Sequence, residues 1–447
     1  MKKQKRILLF ELNEYNKDLL TEASKALSLK NIQKVLTYPQ STTRTSDTYD
    51  SNFLEPWVQW VSVHTGTPSS EHQIKHLGDV PHLGAPQIWE VLSQKGVTSG
   101  VWGAMNASRN NAAHCQFFLP DPWTFSEPGY PSELNKLLDF PRYLAKNYLD
   151  ISKTKSTSKL FKFLSVFFSS KVTLAFLTEL PKAIKNLIKY KGEHFVAISF
   201  TDYILTLVFL EYRRRYNPQF TILFLNSIAH VQHHHWHGED YKNNERLVFC
   251  LEYIDRILGH VLKELDEDDV FIMLNGLSQM NTNKEKPWIL YRQFDQGRFL
   301  ETAGVEVLRV EPHMTYDAHV FFQAKEHCLK AQEILKNAKI NGQALFLVES
   351  YDADPLKLFY RINFFDKVAG DAVLEINGQK FKFFELFQSI VTRTGKHIPV
   401  GTIYSNAPDL PKNMYNHELY KYIVDFYDQQ QRSQPAKNNA INRHANP

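Results

Sequence analysis

Short apolar runs separated by longer amphipathic stretches make up most of the chain. Four of these runs stop at or just before a polar residue: Arg6–Phe10 at Glu11, Val97–Ala104 before Asn106, Phe220–Leu225 at Asn226 and Val270–Leu274 at Asn275. Short apolar runs that alternate with helical patterns are typical of a mostly parallel sheet covered on both faces. The sequence therefore predicts an α/β fold in which a mostly parallel sheet is sandwiched by helices. Ligands in such folds bind at the carboxyl ends of the strands, where these polar residues would lie.

The segment from residue 131 to residue 215 has a different pattern. Between Arg142 and Lys191 it carries eleven Lys or Arg and two acids, with aromatic and aliphatic residues interleaved. We expect a helical, basic cap insertion over the edge of the sheet. Its lysines indicate either a surface for a phosphate-bearing or membrane-borne partner, or the ordinary solvated face of packed helices. Peripheral membrane contact through residues 142–191 is therefore one hypothesis.

The cap divides the predicted core into residues 1–130 and 216–428. The segment that follows, residues 429–447, has almost no apolar content, so we expect a disordered tail. The whole chain has 447 residues, of which 43% are hydrophobic and 13% aromatic, which is enough to build a large core.

Charge and cysteine content exclude several classes of protein. The net charge of +4 is too small a bias to indicate a nucleic-acid binder, so none is expected as a partner. Three scattered cysteines, Cys115, Cys250 and Cys328, form neither a disulfide framework nor a thiolate zinc cluster. The apolar run near the N-terminus is shorter than the roughly 7–15 residues of a secretory signal. These observations predict a cytoplasmic protein, with the inner face of the membrane as a peripheral location.

Histidines are concentrated in residues 226–237, NSIAHVQHHHWH, directly after an apolar run. On a helix, His230 and His234 would share a face, as would His233 and His237, since residues four apart are neighbours. Neutral imidazole is a common zinc ligand. We expect at least one of these side chains to bind metal, while the others are solvated or hydrogen-bonded.

Two acids follow the first apolar run, in the sequence ELNE. A carboxylate there is either a metal ligand or a helix N-terminal cap. Capping is the favoured interpretation for Glu14, and both interpretations stay open for Glu11. Much later in the chain, His397 lies in a loop flanked by Gly and Pro.

Taken together, these stretches resemble the alkaline phosphatase superfamily, particularly its type I phosphodiesterase and nucleotide pyrophosphatase branch. The family motif Thr-x-Pro-x-Trp-x-Ser-x-x-Thr-Gly-x-x-Pro-x-x-His-Gly-Ile is matched by EPWVQWVSVHTGTPSSEHQI, in which five positions keep register: Trp60, Ser62, Thr65, Gly66 and His72. The resemblance implies an alkaline phosphatase-like sheet and a metal centre that holds two divalent ions in the family. Zinc is the first candidate, manganese the alternative, and a single ion is an open option.

The resemblance also assigns roles to residues of this chain. The metal ligands it implies are Glu11, Asn226, His230, Asn275 and His397. Two positions depart from the family pattern. Pro56 stands where the family has its nucleophilic Thr, and Gly276 stands where it has a metal-binding His.

The predicted activity is hydrolysis or transfer at a phosphate ester, with sulfate as a less favoured alternative. Glu55 is the candidate catalytic base, and Asn106 and His234 are the candidate substrate-binding residues. Arg393 would pair either with a phosphate or with a surface acid. The expected substrate is an anionic small molecule or a lipid- or sugar-linked phosphate. The competing hypothesis is a catalytically degenerate family member that binds a ligand or partner without turnover.

Overall fold

The computed structural model describes residues 5–47, 54–80, 83–147, 153–168, 171–313, 316–352 and 354–432. Its last helix continues to Arg432, so the first residues of the predicted tail are helical, and residues 433–447 lie outside the described residues.

The strands of the described chain are numbered in chain order: β1 Ile7–Leu12, β2 Gln40–Arg44, β3 Ser99–Trp102, β4 Cys115–Leu119, β5 Phe220–Leu225, β6 Val270–Leu274, β7 Ser278–Asn281, β8 Trp288–Gln293, β9 Arg309–Pro312, β10 Asp317–Phe321, β11 Lys339–Ile340, β12 Gln343–Ala344, β13 Phe346–Ser350, β14 Lys357–Ile362, β15 Val373–Ile376, β16 Gln379–Lys382, β17 Phe387–Arg393, β18 Gly395–Ile398, β19 Val400–Ser405 and β20 Asn413–Tyr415.

The helices are numbered in the same way: α1 Lys17–Ala26, α2 Lys30–Leu36, α3 Pro56–Thr65, α4 Ser69–His72, α5 Ile88–Gln94, α6 Asn135–Asn147, α7 Lys153–Phe168, α8 Thr173–Lys189, α9 His194–Tyr216, α10 Ser227–His235, α11 Glu245–Lys263, α12 Gln296–Thr302, α13 Lys325–Lys336, α14 Phe383–Leu386 and α15 Glu418–Arg432.

The central sheet has eight strands in the order β20-β2-β19-β6-β1-β5-β3-β4. Every neighbouring pair is parallel except those that involve β19, which runs opposite to both β6 and β2. The mostly parallel α/β sheet predicted from the apolar runs is therefore confirmed. The carboxyl ends of β1, β5 and β6 lie side by side and share one edge with the amino end of β19.

Strand β1 shows why both faces of this sheet are covered. Its residues Leu8, Phe10 and Leu12 belong to one apolar cluster, and the alternate residues Ile7 and Leu9 belong to another, on the opposite face. Side chains alternate between the two faces of a strand, and all of these are buried. A continuous apolar run is the sequence pattern that such a doubly covered strand requires.

Helices α6 to α9 occupy most of the predicted cap, and the division of the chain into core and cap stays a prediction. By length and composition, α9 is the one helix in the described ranges that could cross a membrane, and half of its most apolar stretch is buried in the protein. Its residues Val208 and Phe209 belong to the same apolar cluster as Phe10 of β1. Burial of this kind is also found in the core helices of water-soluble domains.

A second apolar core lies between β7 and β18 along the chain. It is built from β8 to β17 and helices α12 to α14, around buried residues such as Leu290, Phe346 and Leu374. The sequence-based division placed this region inside the main α/β core. Its strand β17 leads directly into β18, so the second core positions the segment that returns to the edge of the central sheet.

Candidate functional site

The loop after β1 brings its acidic residue Glu14 to the carboxyl edge of the sheet. Glu14 adopts the left-handed conformation, with φ 58°, which a side chain other than Gly adopts only at a cost. Hydrogen bonds hold it there, since its backbone N–H donates to Asn275 O at 3.1 Å and its O accepts from Gln232 Nε2 at 2.9 Å. The helix cap of α1 is Asn16, whose Oδ1 accepts from Leu19 N. The capping role favoured for Glu14 is therefore wrong, because Asn16 fills it.

Helix α10 brings a histidine to the same place. The helix begins directly after β5, and the backbone N–H groups of Asn226 and Ser227 donate to Asp202 Oδ2 of α9 at 3.1 and 2.9 Å. Near the other end of α10, His233 faces the loop before β18, and its Nδ1 lies 2.9 Å from Gly395 O. The carboxylate beneath the start of the helix and the contact at its end fix the orientation of this imidazole.

Strand β18 supplies the third residue, His397. The strand pairs antiparallel with β7, which places His397 opposite Gln279. Its Nδ1 lies 3.1 Å from Leu54 O and 3.3 Å from Glu55 Oε2. The ring is thus held between the start of α3 and the edge of the central sheet.

Three atoms that accept hydrogen bonds meet at this point. Glu14 Oε2 lies 2.9 Å from His233 Nε2 and 2.9 Å from His397 Nε2, and the two Nε2 atoms are 3.2 Å apart. Because each Nδ1 faces oxygen acceptors, each Nδ1 carries its hydrogen, and each Nε2 is left with its lone pair directed at the others. A cation, or a proton on one ring, is needed to hold such a group together.

The pKa values of these three side chains follow from the same contacts. Burial lowers the pKa of His397, but the carboxylates of Glu14 and Glu55 outweigh burial and raise it to about 10. Burial raises the pKa of Glu14, but His397 and His233 hold it well below the ordinary value. Burial and the positive charge of Arg393 lower the pKa of His233 despite its contact with Glu14. His397 is therefore the ring that holds the proton when no metal competes for it.

The donor set fits a divalent transition metal. Glu14, His233 and His397 are the one group within the described ranges whose ligand atoms from three or more His, Cys, Asp or Glu residues converge closely enough for an ion. Two histidines and one glutamate are the ligand set of catalytic zinc sites that keep a fourth position open. Zinc–nitrogen bonds of about 2.0–2.1 Å in a tetrahedron put the ligand atoms about 3.3 Å apart, close to the separations observed here. Second contacts of both rings to carbonyl oxygens are also typical of metal-binding histidines.

Of the predicted ligands from the histidine segment, neither Asn226 nor His230 joins this group. Asn226 Oδ1 accepts from Asn13 Nδ2 at 2.8 Å. The His230 ring centroid lies 4.5 Å from that of His234 and 6.4 Å from that of His194, at the start of α9. Burial is the main reason that the pKa of His230 falls to about 3. The metal roles of Asn226 and His230 stay predictions that the geometry of the group does not support.

The other predicted ligands, Glu11 and Asn275, have different partners. Glu11 Oε1 lies 2.8 Å from His64 Nε2 of α3, and both side chains are fully buried. Asn275 Nδ2 donates to Tyr15 O at 2.8 Å, and its Oδ1 accepts from Thr402 N at 2.9 Å. Both ends of the Asn275 amide are thus used to tie β6 to its neighbours.

Gly276 explains why a histidine is missing next to Asn275. The residue has φ +70°, and a Cβ atom built on it would lie 3.0 Å from the Trp60 ring. Trp60 in turn donates from Nε1 to Asn13 Oδ1 at 2.7 Å. An indole therefore occupies the space beside Gly276, where the family resemblance expects a metal-binding histidine.

The three remaining predicted site residues differ in whether they contact the convergent group. Glu55, at the start of α3, contacts His397 and has Arg361 Nη1 at 3.6 Å from its Oε1. Asn106 uses its amide to join loops, because Nδ2 lies 3.1 Å from both Trp57 O and His76 O. His234 stands beside His233 on α10, with ring centroids 6.1 Å apart. Only Glu55 touches the convergent group, and the substrate-binding roles of Asn106 and His234 stay predictions.

Two arginines add positive charge to this neighbourhood. Arg361 faces Glu55 from β14, and Arg393 is the last residue of β17, two positions before Gly395. Burial raises the pKa of Glu55, but His397, Arg361 and Arg393 together lower it. Arg393 also packs over the Trp288 ring at 5.2 Å, and its Nε has no hydrogen-bond partner among the described residues. The site thus combines a metal-type ligand set with cationic side chains.

Sequence reasoning missed two of the three convergent residues, Glu14 and His233. Glu14 was available in the ELNE sequence but was assigned to capping, because its left-handed backbone cannot be read from residue types. His233 was one of five histidines, and helical spacing alone paired it with His237, which is exposed. His397 was assigned through the family resemblance.

The chain is similar to a known family of proteins. The family model described as type I phosphodiesterase / nucleotide pyrophosphatase matches residues 47–370. No curated protein sequence matches the chain.

Solved structures with similar folds include two proteins of different origin. A murine ectonucleotide pyrophosphatase / phosphodiesterase 5 is 9% identical, with a TM-score of 0.46 and 95% of each chain covered. A phosphonoacetate hydrolase from Sinorhizobium meliloti 1021, in complex with phosphonoformate, is 12% identical, with a TM-score of 0.45 over 94% of this chain and 95% of that one. Both TM-scores lie below 0.5, so the fold class rests on the strand order of this chain.

Proposed function

The chain belongs to the type I phosphodiesterase / nucleotide pyrophosphatase family, and from that premise we propose that it is a phosphoester hydrolase that works with one divalent metal ion. The observation that carries the proposal is the convergence of Glu14 Oε2, His233 Nε2 and His397 Nε2. A divalent ion held by these three residues would polarise a phosphoryl oxygen and stabilise the charge that develops on it. Zinc is the proposed ion, with manganese as the alternative.

Side chains around the metal ligands supply the remaining parts. Glu55 positions His397 through the contact of Oε2 with Nδ1 at 3.3 Å, and its low pKa keeps it ionised at neutral pH. Arg393 adds positive charge beside the site, which favours an anionic substrate. The proposed substrate is therefore an anionic phosphate ester of a small molecule.

The attacking group is proposed to be water. Pro56 begins α3 at the position where the family resemblance expects a nucleophilic Thr, and it has no hydroxyl. The hydroxyls that follow on α3 are already engaged: Ser62 Oγ contacts His72 Nε2 at 3.0 Å, and Thr65 Oγ1 donates to Val61 O at 2.8 Å. Direct hydrolysis then replaces transfer through a covalent phosphoenzyme.

The test begins with metal analysis of the purified chain and continues with chromogenic phosphomonoester, phosphodiester and sulfate substrates, with zinc or manganese added. We expect close to one metal ion per chain and turnover of a phosphate ester. His397→Ala should abolish both metal binding and turnover. His237→Ala is the matched control, because His237 is an exposed histidine of the same segment and should leave both unchanged.

A second candidate function is ligand binding without turnover. The pairing of Glu11 with His64 and of Asn275 with backbone groups favours it, since the family resemblance implies two ions and a single group of ligands converges within the described residues. A chain that binds metal at Glu14, His233 and His397 but hydrolyses no substrate with zinc or manganese present would support this second function. A chain that binds no metal under any condition would contradict the first.

A further inference from the structure

Helix α8 exposes an apolar stripe to solvent. The stripe consists of four side chains at helical spacing, with exposed fractions of 75% for Leu174, 48% for Leu177, 47% for Ile184 and 75% for Ile188. Positions three, four or seven apart share one face of a helix, so these residues lie along one face about four turns long, with Pro181 between Leu177 and Ile184. Single exposed apolar side chains are common on protein surfaces, but a line of four large ones marks an interaction surface.

The opposite face of the same helix is already used. Phe176 and Ala183 are buried on that side, and Phe176 stacks on Phe167 of α7 with ring centroids 5.0 Å apart. The outer stripe is therefore additional to the face that holds α8 in the fold. Helix α7 also exposes the ring of Phe168, at 56%, and this ring packs against Phe176 on the inner side of α8 with centroids 5.5 Å apart.

Lysines outnumber acids on the two helices α7 and α8, and one of these lysines, Lys189, pairs with the exposed Glu245 of α11 at 2.8 Å. Helix α8 carries Lys182, Lys185 and Lys189, all exposed, in the turns that hold Ile184 and Ile188. Helices α7 and α8 contain a single acid between them, Glu179. Glu179 points inward, is 4% exposed and is bound by Arg256 and Lys182. Large apolar side chains bordered by lysines form the pattern of a helix that lies in the interface of a membrane.

We propose that the outer face of α8 docks the protein onto a membrane surface that carries anionic phospholipid headgroups. The apolar side chains enter the boundary between headgroups and acyl chains, while the lysines contact the phosphates. A second copy of the chain is a poorer occupant, because a twofold contact sets the same patch against itself and would bring like-charged lysines together. This inference concerns a surface separate from the metal ligands and goes beyond the proposed function.

The test is sedimentation of the full chain with vesicles of phosphatidylcholine containing about one third phosphatidylglycerol, against vesicles of phosphatidylcholine alone. We expect binding to the anionic vesicles at low salt, weakened at least fivefold when the salt is raised to about 0.5 M, where screening is strong. The variant Leu174→Gln/Ile188→Gln should bind at least tenfold more weakly. The matched control is Leu308→Gln/Leu329→Gln, which replaces two leucines of similar exposure, 59% and 54%, in the second core region.

Each outcome decides the proposal. Loss of vesicle binding in the α8 variant but not in the control supports it, provided that both variants keep the thermal unfolding temperature of the parent chain. Absence of binding to anionic vesicles at low salt overturns it. A parent chain that sediments as a dimer, becomes monomeric in the α8 variant and ignores vesicles also overturns it, and assigns the stripe to self-association. If the α8 variant still hydrolyses a soluble phosphate ester, the proposed function does not depend on membrane binding.

Discussion

Two carboxylates three residues apart, Glu11 in β1 and Glu14 in the loop that follows it, have opposite surroundings. Glu14 faces the Nε2 atoms of His233 and His397, each at 2.9 Å, at an edge where three elements meet. Glu11 faces one imidazole, His64, at 2.8 Å inside the apolar layer between the sheet and α3. Around Glu14, three acceptor atoms converge with no hydrogen between them unless one ring is protonated. Around Glu11, one carboxylate and one imidazole form a single buried pair. Residue type alone therefore does not distinguish an acid that joins a convergent group of possible ligands from a buried acid with a single partner.

The difference arises from the faces of the strand and from the loop that follows it. Glu11 continues the alternation of Ile7 and Leu9, so its side chain enters the layer that also contains Trp60. Glu14 lies beyond the strand, where a left-handed backbone turns it toward α10 and β18. Metal binding is therefore expected to depend on Glu14 and its partners, and stability on Glu11 and His64.

The largest effect is expected from the convergent group. Replacing His233 or His397 by Ala removes one of three ligands, and we expect the affinity for zinc to fall about 1,000-fold or more, which is about 4 kcal/mol. Isothermal titration calorimetry on the parent chain and the variants measures this change. The comparison fails if His64→Ala lowers zinc affinity to the same degree.

The buried pair should act on stability instead. His64→Ala leaves the Glu11 carboxylate buried without its partner, so we expect the free energy of unfolding to fall by roughly 3–4 kcal/mol. Zinc affinity should stay within about twofold of the parent value. Urea unfolding measures the loss, and the double variant Glu11→Leu/His64→Ala should recover part of it because no unpaired charge remains. A double variant no more stable than His64→Ala would assign the loss to packing rather than to charge.

A third carboxylate, Asp202, offers a test through pH. Burial raises its pKa from 3.8 to about 6, although the N–H groups of Asn226 and Ser227 donate to it. The folded chain then holds this proton between about pH 4 and pH 6 while the unfolded chain does not, so stability falls as pH rises through that window. Relative to Asp202→Asn, which cannot titrate there, the parent should lose roughly 2–3 kcal/mol between pH 4 and pH 6. Urea unfolding at both pH values checks this, and a difference that does not change with pH would contradict it.

The smallest effect is expected at Glu55, which touches His397 from outside the group of ligands. Glu55→Gln should weaken zinc binding about 10–100-fold, as loss of an orienting partner does at other metal sites. Turnover measured at saturating zinc should then recover most of the parent rate. If the rate instead falls while zinc affinity is unchanged, Glu55 acts on the substrate directly, as the base that the sequence predicted.

Local sequence patterns identified part of the convergent group and did not identify the rest. The apolar run Arg6–Phe10 predicts a buried strand, because a strand covered on both faces is mostly apolar, and the observed strand Ile7–Leu12 continues two residues further. The family resemblance brought His397 to the same edge of the sheet. Choosing among the histidines of α10 required the rotation of the helix about its axis, which is set by packing against α9, α11 and β18. The spacing of residues along the chain does not show which side of the helix faces the site.

The sequence by itself determined the α/β class, the strand ends at which chemistry is expected and the family to which the chain belongs. Tertiary structure alone decided that Glu14 and His233, rather than Glu11 and His230, meet His397. It also decided that Trp60 fills the space beside Gly276 and that the apolar stripe of α8 faces solvent. The physical reason is that periodicity and composition act within one element, whereas a ligand set requires atoms from three separate elements to come within about 3 Å of one another.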